Sequence, residues 1–111
     1  MGVSLSDHQI DRLFATIAAR KGADAGTSYT AKLLQAGVEK CAKKFGEEAV
    51  EAVIAAAARD PKALASESAD VLYHLLVVWA AAGITPDDVY AVLKTREAQS
   101  GLEEKASRPK G

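Results

Sequence analysis

Cysteine is almost missing from this chain. Cys41 stands alone, which excludes an intrachain disulfide framework and fits a reducing compartment. No pair of Cys or His has the spacing of a zinc site. Aromatic residues make up only 5%, and much of the 49% hydrophobic share is alanine, a composition suited to close helix packing and not to a thick sandwich. Neither sign of charge dominates: the net charge is −1, so bulk attraction to nucleic acid or to an anionic membrane is not expected. There is no apolar run of 18 residues free of charge and no charged-then-apolar leader, so a cytoplasmic, soluble protein is expected. Glycine-rich nucleotide loops of the G-x-x-x-x-G-K or G-x-G-x-x-G kind are absent, as are an EF-hand loop and any Glu-x-x-His pair. Strand signals are absent too.

What remains is helical. The 111 residues suit one all-α domain of four to five helices over 1–111, with a helical core at 6–99 and a charged tail at 100–111. Ser6 is expected to cap a first helix running to about Arg20, with Gln9 as its capping-box partner and Ile10, Leu13, Phe14 and Ile17 inward. Residues 21–27 read as a loop. A short helix follows from Ser28 or Tyr29 to about Ala36, and Gly37 interrupts it. The third helix, about 38–59, is expected to pack through Ala42, Phe45, Ala49, Val53 and Ala56, with Lys44, Glu47, Glu48 and Glu51 on the opposite side. Asp60-Pro61 caps and opens a fourth helix to about Ala82, and Thr85-Pro86 starts a fifth to about Gln99. The segment Tyr73–Ala82 is apolar nearly all round and needs cover on every side. One chain of this size has little to cover it with, so a symmetric homodimer is expected, with that segment near the interface. Trp79 and Tyr73 are assigned to the same packing. The start Met1-Gly2-Val3-Ser4-Leu5-Ser6 fits a myristoylation pattern, but Ser6 is better explained as the helix cap.

The acidic residues carry the functional signal. Glu48 and Glu51 share one side of the third helix, and Glu67 and Asp70 share one side of the fourth. Two such pairs facing each other form an oxygen-only cage suited to Mg²⁺, with Mn²⁺ as the alternative. The ordinary role of helix carboxylates is a solvated face, and Lys44 can pair with Glu48 at i, i+4. That explanation weakens for Glu67 and Asp70, which lie on a helix becoming buried, where unpaired charge is costly. His74 shares their side, and its ordinary role is a hydrogen-bonded histidine in a half-buried helix. Cys41 is assigned to packing. Lys40, Lys43 and Lys44 are either a solvated face or partners for a polyphosphate at the metal.

Glu47-Glu48-x-x-Glu51 followed by Glu67-x-x-Asp70 resembles the all-α nucleoside triphosphate pyrophosphohydrolases of the MazG-like superfamily. Ser28–Leu34, Lys43–Ala49 and Ala69–Leu76 are similar to signatures of its phosphoribosyl-ATP pyrophosphohydrolase family, with Phe45 and Val71 as departures. Ser100–Ala106 resembles a tail of some members. The resemblance implies hydrolysis of phosphoribosyl-ATP, a small nucleotide, to phosphoribosyl-AMP and pyrophosphate in histidine biosynthesis. It further implies Mg²⁺ on Glu48, Glu51, Glu67 and Asp70, with Glu47 behind the metal or accepting a proton from the attacking water. Lys40, Lys43, Lys44 and Arg96 would then neutralise substrate phosphates. Two alternatives stand beside it: a housekeeping nucleotide pyrophosphohydrolase of the same superfamily, and a non-catalytic helical dimerisation module.

Overall fold

The computed structural model describes residues 8–98. The described residues fold into five helices: α1 Gln9–Ala19, α2 Tyr29–Ala36, α3 Val38–Ala57, α4 Pro61–Ala82 and α5 Pro86–Glu97. No strand occurs among the described residues, in accord with the all-α expectation. The start Met1–Ser6, with the expected Ser6 cap, and the tail from Ser100 lie outside the described residues.

The helix ends follow local chemistry. α1 begins later than expected, because His8 is its N-cap: its Nδ1 accepts a hydrogen bond from the Ile10 amide at 3.2 Å. The Ser28 hydroxyl accepts from the Ala31 amide at 3.1 Å and opens α2. Gly37 separates α2 from α3 at φ 99°, ψ 168°, a conformation reserved for glycine. Asp60 caps α4 by accepting from the Ala63 amide at 3.0 Å, with Pro61 at the first helical position. Thr85 and Asp88 exchange two hydrogen bonds in a capping box at the start of α5.

α3 and α4 form the principal helix pair, α1 lies on α4, α2 touches both, and α5 meets α1. The link between α3 and α4 is only three residues, so the two helices fold back as an antiparallel hairpin. A continuous core of Ile17, Leu33, Leu34, Cys41, Leu76, Val77 and Ala80 joins α1, α2, α3 and the second half of α4. Among the described residues, side chains of different helices bond to each other at Thr30 with Tyr73 (2.5 Å) and at Tyr90 to Asp11 (3.1 Å).

The expected inner face of α3 requires correction. Its inward stripe is Cys41, Phe45, Glu48, Ala49, Ala52 and Ala55, while Ala42, Val53 and Ala56 face solvent. Alanines occur all round this helix, so apolar periodicity defines no face, and the contact with α4 selects one. Glu48 lies on the inward face, not opposite it. The apolar half of α4 is also better covered than expected: His74, Leu76, Val77 and Ala80 are buried within the single chain. Val50, Val53 and Ile54 on α3 and Leu72 on α4 are left exposed.

Candidate metal centre

The hairpin register brings the acids together. Counting from Arg59 at the turn, Glu48 lies eleven residues before and Asp70 eleven after; Glu51 and Glu67 lie eight before and eight after. Residues equidistant from the turn of an antiparallel helix pair come to the same height. Glu48, Glu67 and Asp70 each present a carboxylate oxygen, and the three oxygens lie within 4.8 Å of one another. Oxygens on an octahedral magnesium ion with bonds near 2.0–2.1 Å stand about 3–4 Å apart, so a small side-chain rotation fits the triangle to such a shell. The donor set is oxygen only, as a hard divalent cation requires.

Electrostatics point the same way. The Glu67 carboxyl is pushed above the usual range, first by loss of solvent and then by Asp70, Glu51 and Glu48. Negative charge is therefore concentrated here beyond what nearby cations offset. Glu51 belongs to that field, although its oxygens fall outside the triangle. Lys44 is the adjoining cation. Its ammonium lies 3.5 Å from Glu48 and 3.8 Å from Glu47, so the i, i+4 pair expected from sequence forms. Tyr29, Glu48 and Glu47 together favour the charged lysine.

Beside the triangle lies a hollow of about 240 Å³ lined by Tyr29, Leu33, Lys40, Lys43, Lys44 and Glu47. The three expected lysines thus converge on one space, with Lys44 and Glu47 linking it to the carboxylates. Arg96 lies elsewhere: it lines a separate hollow on α5 with Ile84, Asp88, Val89, Val92 and Leu93. Sequence reasoning placed Tyr29 only as a helix start, yet the residue is 54% exposed and lines the lysine hollow. The signal available was its position: a residue directly after an N-cap serine projects from the helix end.

His74 differs from expectation. It is 6% exposed, and its Nδ1 has no hydrogen-bond partner. Tyr73 and Tyr29 meet its ring edge-on, with centroids 4.9 and 6.3 Å away. Burial lowers its pKa, against the opposing influence of Glu48. Two of the segments singled out in sequence, Ser28–Leu34 and Ala69–Leu76, therefore meet where α2 touches α4. Cys41 is buried, its thiol directed to the Leu33 carbonyl at 3.1 Å.

Comparison with known proteins gives a consistent result. Residues 10–97 match the family pattern described as phosphoribosyl-ATP pyrophosphohydrolase. A phosphoribosyl-ATP pyrophosphatase of Parvibaculum lavamentivorans is 65% identical over 100 residues, covering 90% of this chain and 92% of its own. The proteins of that name from Paracoccus denitrificans and Azospirillum brasilense are 63% and 59% identical over 99 residues. These alignments cover 89% of this chain in both cases, and 92% and 89% of the relatives.

Proposed function

The chain belongs to the phosphoribosyl-ATP pyrophosphohydrolase family, and we propose that the Glu48–Glu67–Asp70 triangle is the magnesium centre through which it works. It is a hydrolase of histidine biosynthesis that converts phosphoribosyl-ATP, a small nucleotide, to phosphoribosyl-AMP and pyrophosphate. Of the three functional expectations, the family match selects this one over the housekeeping enzyme and the dimerisation module.

The observation that carries the site is the convergence of three carboxylate oxygens from two helices. Glu48, Glu67 and Asp70 hold the ion, and Glu51, one turn along α3 and within their field, completes the set by side-chain rotation. Bound there, Mg²⁺ (or Mn²⁺) supplies charge neutralisation for the triphosphate and for the departing pyrophosphate. The water that cleaves the α–β anhydride gives its proton to Glu47, which Lys44 holds beside the triangle. Lys44 also offsets phosphate charge, with Lys40 and Lys43 further along the same hollow. Arg96 faces a different hollow, and its part in phosphate neutralisation requires substrate to reach α5.

The working form in this reading is a single domain over 1–111, assembled as a homodimer in the cytoplasm. Support for the dimer comes from the exposed apolar residues of α3. Among the described residues, no single helix is long and apolar enough to cross a membrane.

The decisive experiment removes one ligand charge at a time. Glu48→Gln and Asp70→Asn should each lower kcat by about two to three orders of magnitude, the size seen when an electrostatic catalytic group is removed. Circular dichroism should remain helical. Near-normal turnover in either variant overturns the assignment.

A further inference from the structure

Two features of the lysine hollow together bear on what it holds. The first is charge left over. Lys44 is shared between Glu47 and Glu48, whereas among the described residues neither Lys40 nor Lys43 forms an ion pair. Two uncommitted ammonium groups therefore face one space of about 240 Å³. A phosphomonoester carries close to two negative charges at neutral pH and would balance them. The second feature is the apolar part of the lining, Tyr29 and Leu33. An aromatic face beside an aliphatic side chain suits the C–H surface of a sugar, and phosphates alone have no use for it.

Tyr29 is anchored from the α2 side. Ser28 caps α2 directly beneath Tyr29, Thr30 bonds to Tyr73, and the Tyr29 ring meets buried His74 edge-on. Ordering Tyr29 therefore costs little on binding. Lys40 marks the far end of the hollow: it precedes Glu48 by eight residues, about 12 Å along the helix, whereas Lys44 and Glu47 join the near end to the carboxylates. An anion held toward Lys40 is thus displaced from phosphates at the triangle, as a second anionic end of the substrate would be.

We infer that this hollow seats the phosphorylated ribose carried on the adenine ring, with Lys40 and Lys43 on its phosphomonoester and Tyr29 against its sugar. This rests on the pyrophosphohydrolase reading above and assigns the group by which the enzyme tells its substrate from an ordinary nucleoside triphosphate, which lacks that phosphate. Lys44 stays with the triphosphate end.

The test uses the full chain in EDTA, so it does not depend on whether the triangle binds magnesium. Ribose 5-phosphate, ribose and inorganic pyrophosphate are each titrated and followed by NMR. Ribose 5-phosphate should shift the Tyr29 ring signals and the Lys40 and Lys43 amides saturably, at least about tenfold more tightly than ribose. The Lys40→Gln, Lys43→Gln double variant should keep the remaining spectrum and lose the response. With magnesium present, the same variant should raise KM for phosphoribosyl-ATP about ten- to a hundredfold while kcat changes little. No saturable shift, equal or tighter binding of pyrophosphate in the hollow, or a fall in kcat with KM unmoved overturns the inference. Failure of magnesium to bind would defeat the metal assignment and leave the EDTA titration unaffected.

Discussion

At the scale of single residues, the site is a problem of uncompensated charge. Glu67 is pushed up by burial and then by Asp70, Glu51 and Glu48. The folded chain therefore holds that proton more tightly than the unfolded chain does. Its contribution to stability is complete below the unfolded glutamate value near 4.3 and is lost as pH rises through the raised folded value. In EDTA, the melting temperature of the wild type should consequently fall relative to Glu67→Gln as pH rises above about 4.3. Added Mg²⁺ should close the gap by binding the folded form. Parallel melting curves for the two proteins across that range, or no response to the ion, would contradict this. Comparison with the variant matters because His74, lowered by burial, acts in the other direction and destabilises the fold as pH drops below its usual 6.5. The acids were legible in the sequence because charge on a helix turning apolar needs a reason. The orphaned Nδ1 of His74 was not, since it depends on which rings close around it.

At the scale of elements, short polar signals fixed most boundaries correctly: Ser28, Asp60-Pro61 and Thr85-Pro86 all lie where α2, α4 and α5 begin. α1 is the exception, because a histidine nitrogen caps as a serine hydroxyl does. Gly37 was read as an interruption, and the structure gives the reason: α3 follows α2 with one residue between them, at φ 99° and ψ 168°. A Cβ at Gly37 would meet nothing within 4 Å, so space is not the constraint. Gly37→Ala should still cost about 1–3 kcal/mol, because only glycine adopts this conformation without strain. Urea unfolding checks this, and a neutral result would mean the link relaxes to another geometry. The inner face of α3 escaped sequence analysis for a different reason. Ala42, Ala49, Ala52, Ala55 and Ala56 surround the helix, and helical periodicity has no contrast to work on. Only the rotation of α3 against α4 decides that Glu48 points inward and that Glu51 stays outside the triangle.

At the scale of the whole molecule, the question is what covers α3. The sequence argument for a dimer rested on Tyr73–Ala82, yet α1, α2 and α3 already bury much of that segment. The uncovered surface lies nearer the hairpin turn, where Val50, Val53 and Ile54 are 55%, 66% and 56% exposed. Exposed apolar residues on one rigid helix are costly to leave in water, at roughly 25 cal/mol for each Å². A second copy meeting this chain along α3 would bury them by two-fold symmetry, each copy covering the other's stripe. Val53→Asp places a charge at the most exposed of these positions and touches neither the core nor the carboxylate triangle. Sedimentation at micromolar concentration should find the wild type as a dimer and Val53→Asp shifted toward monomer. Association stabilises the folded form by mass action, so the wild-type melting temperature should rise with protein concentration and that of Val53→Asp should not. If wild type and variant both sediment as monomers, the stripe on α3 has another role, and the hairpin holds its acids together without help from a partner.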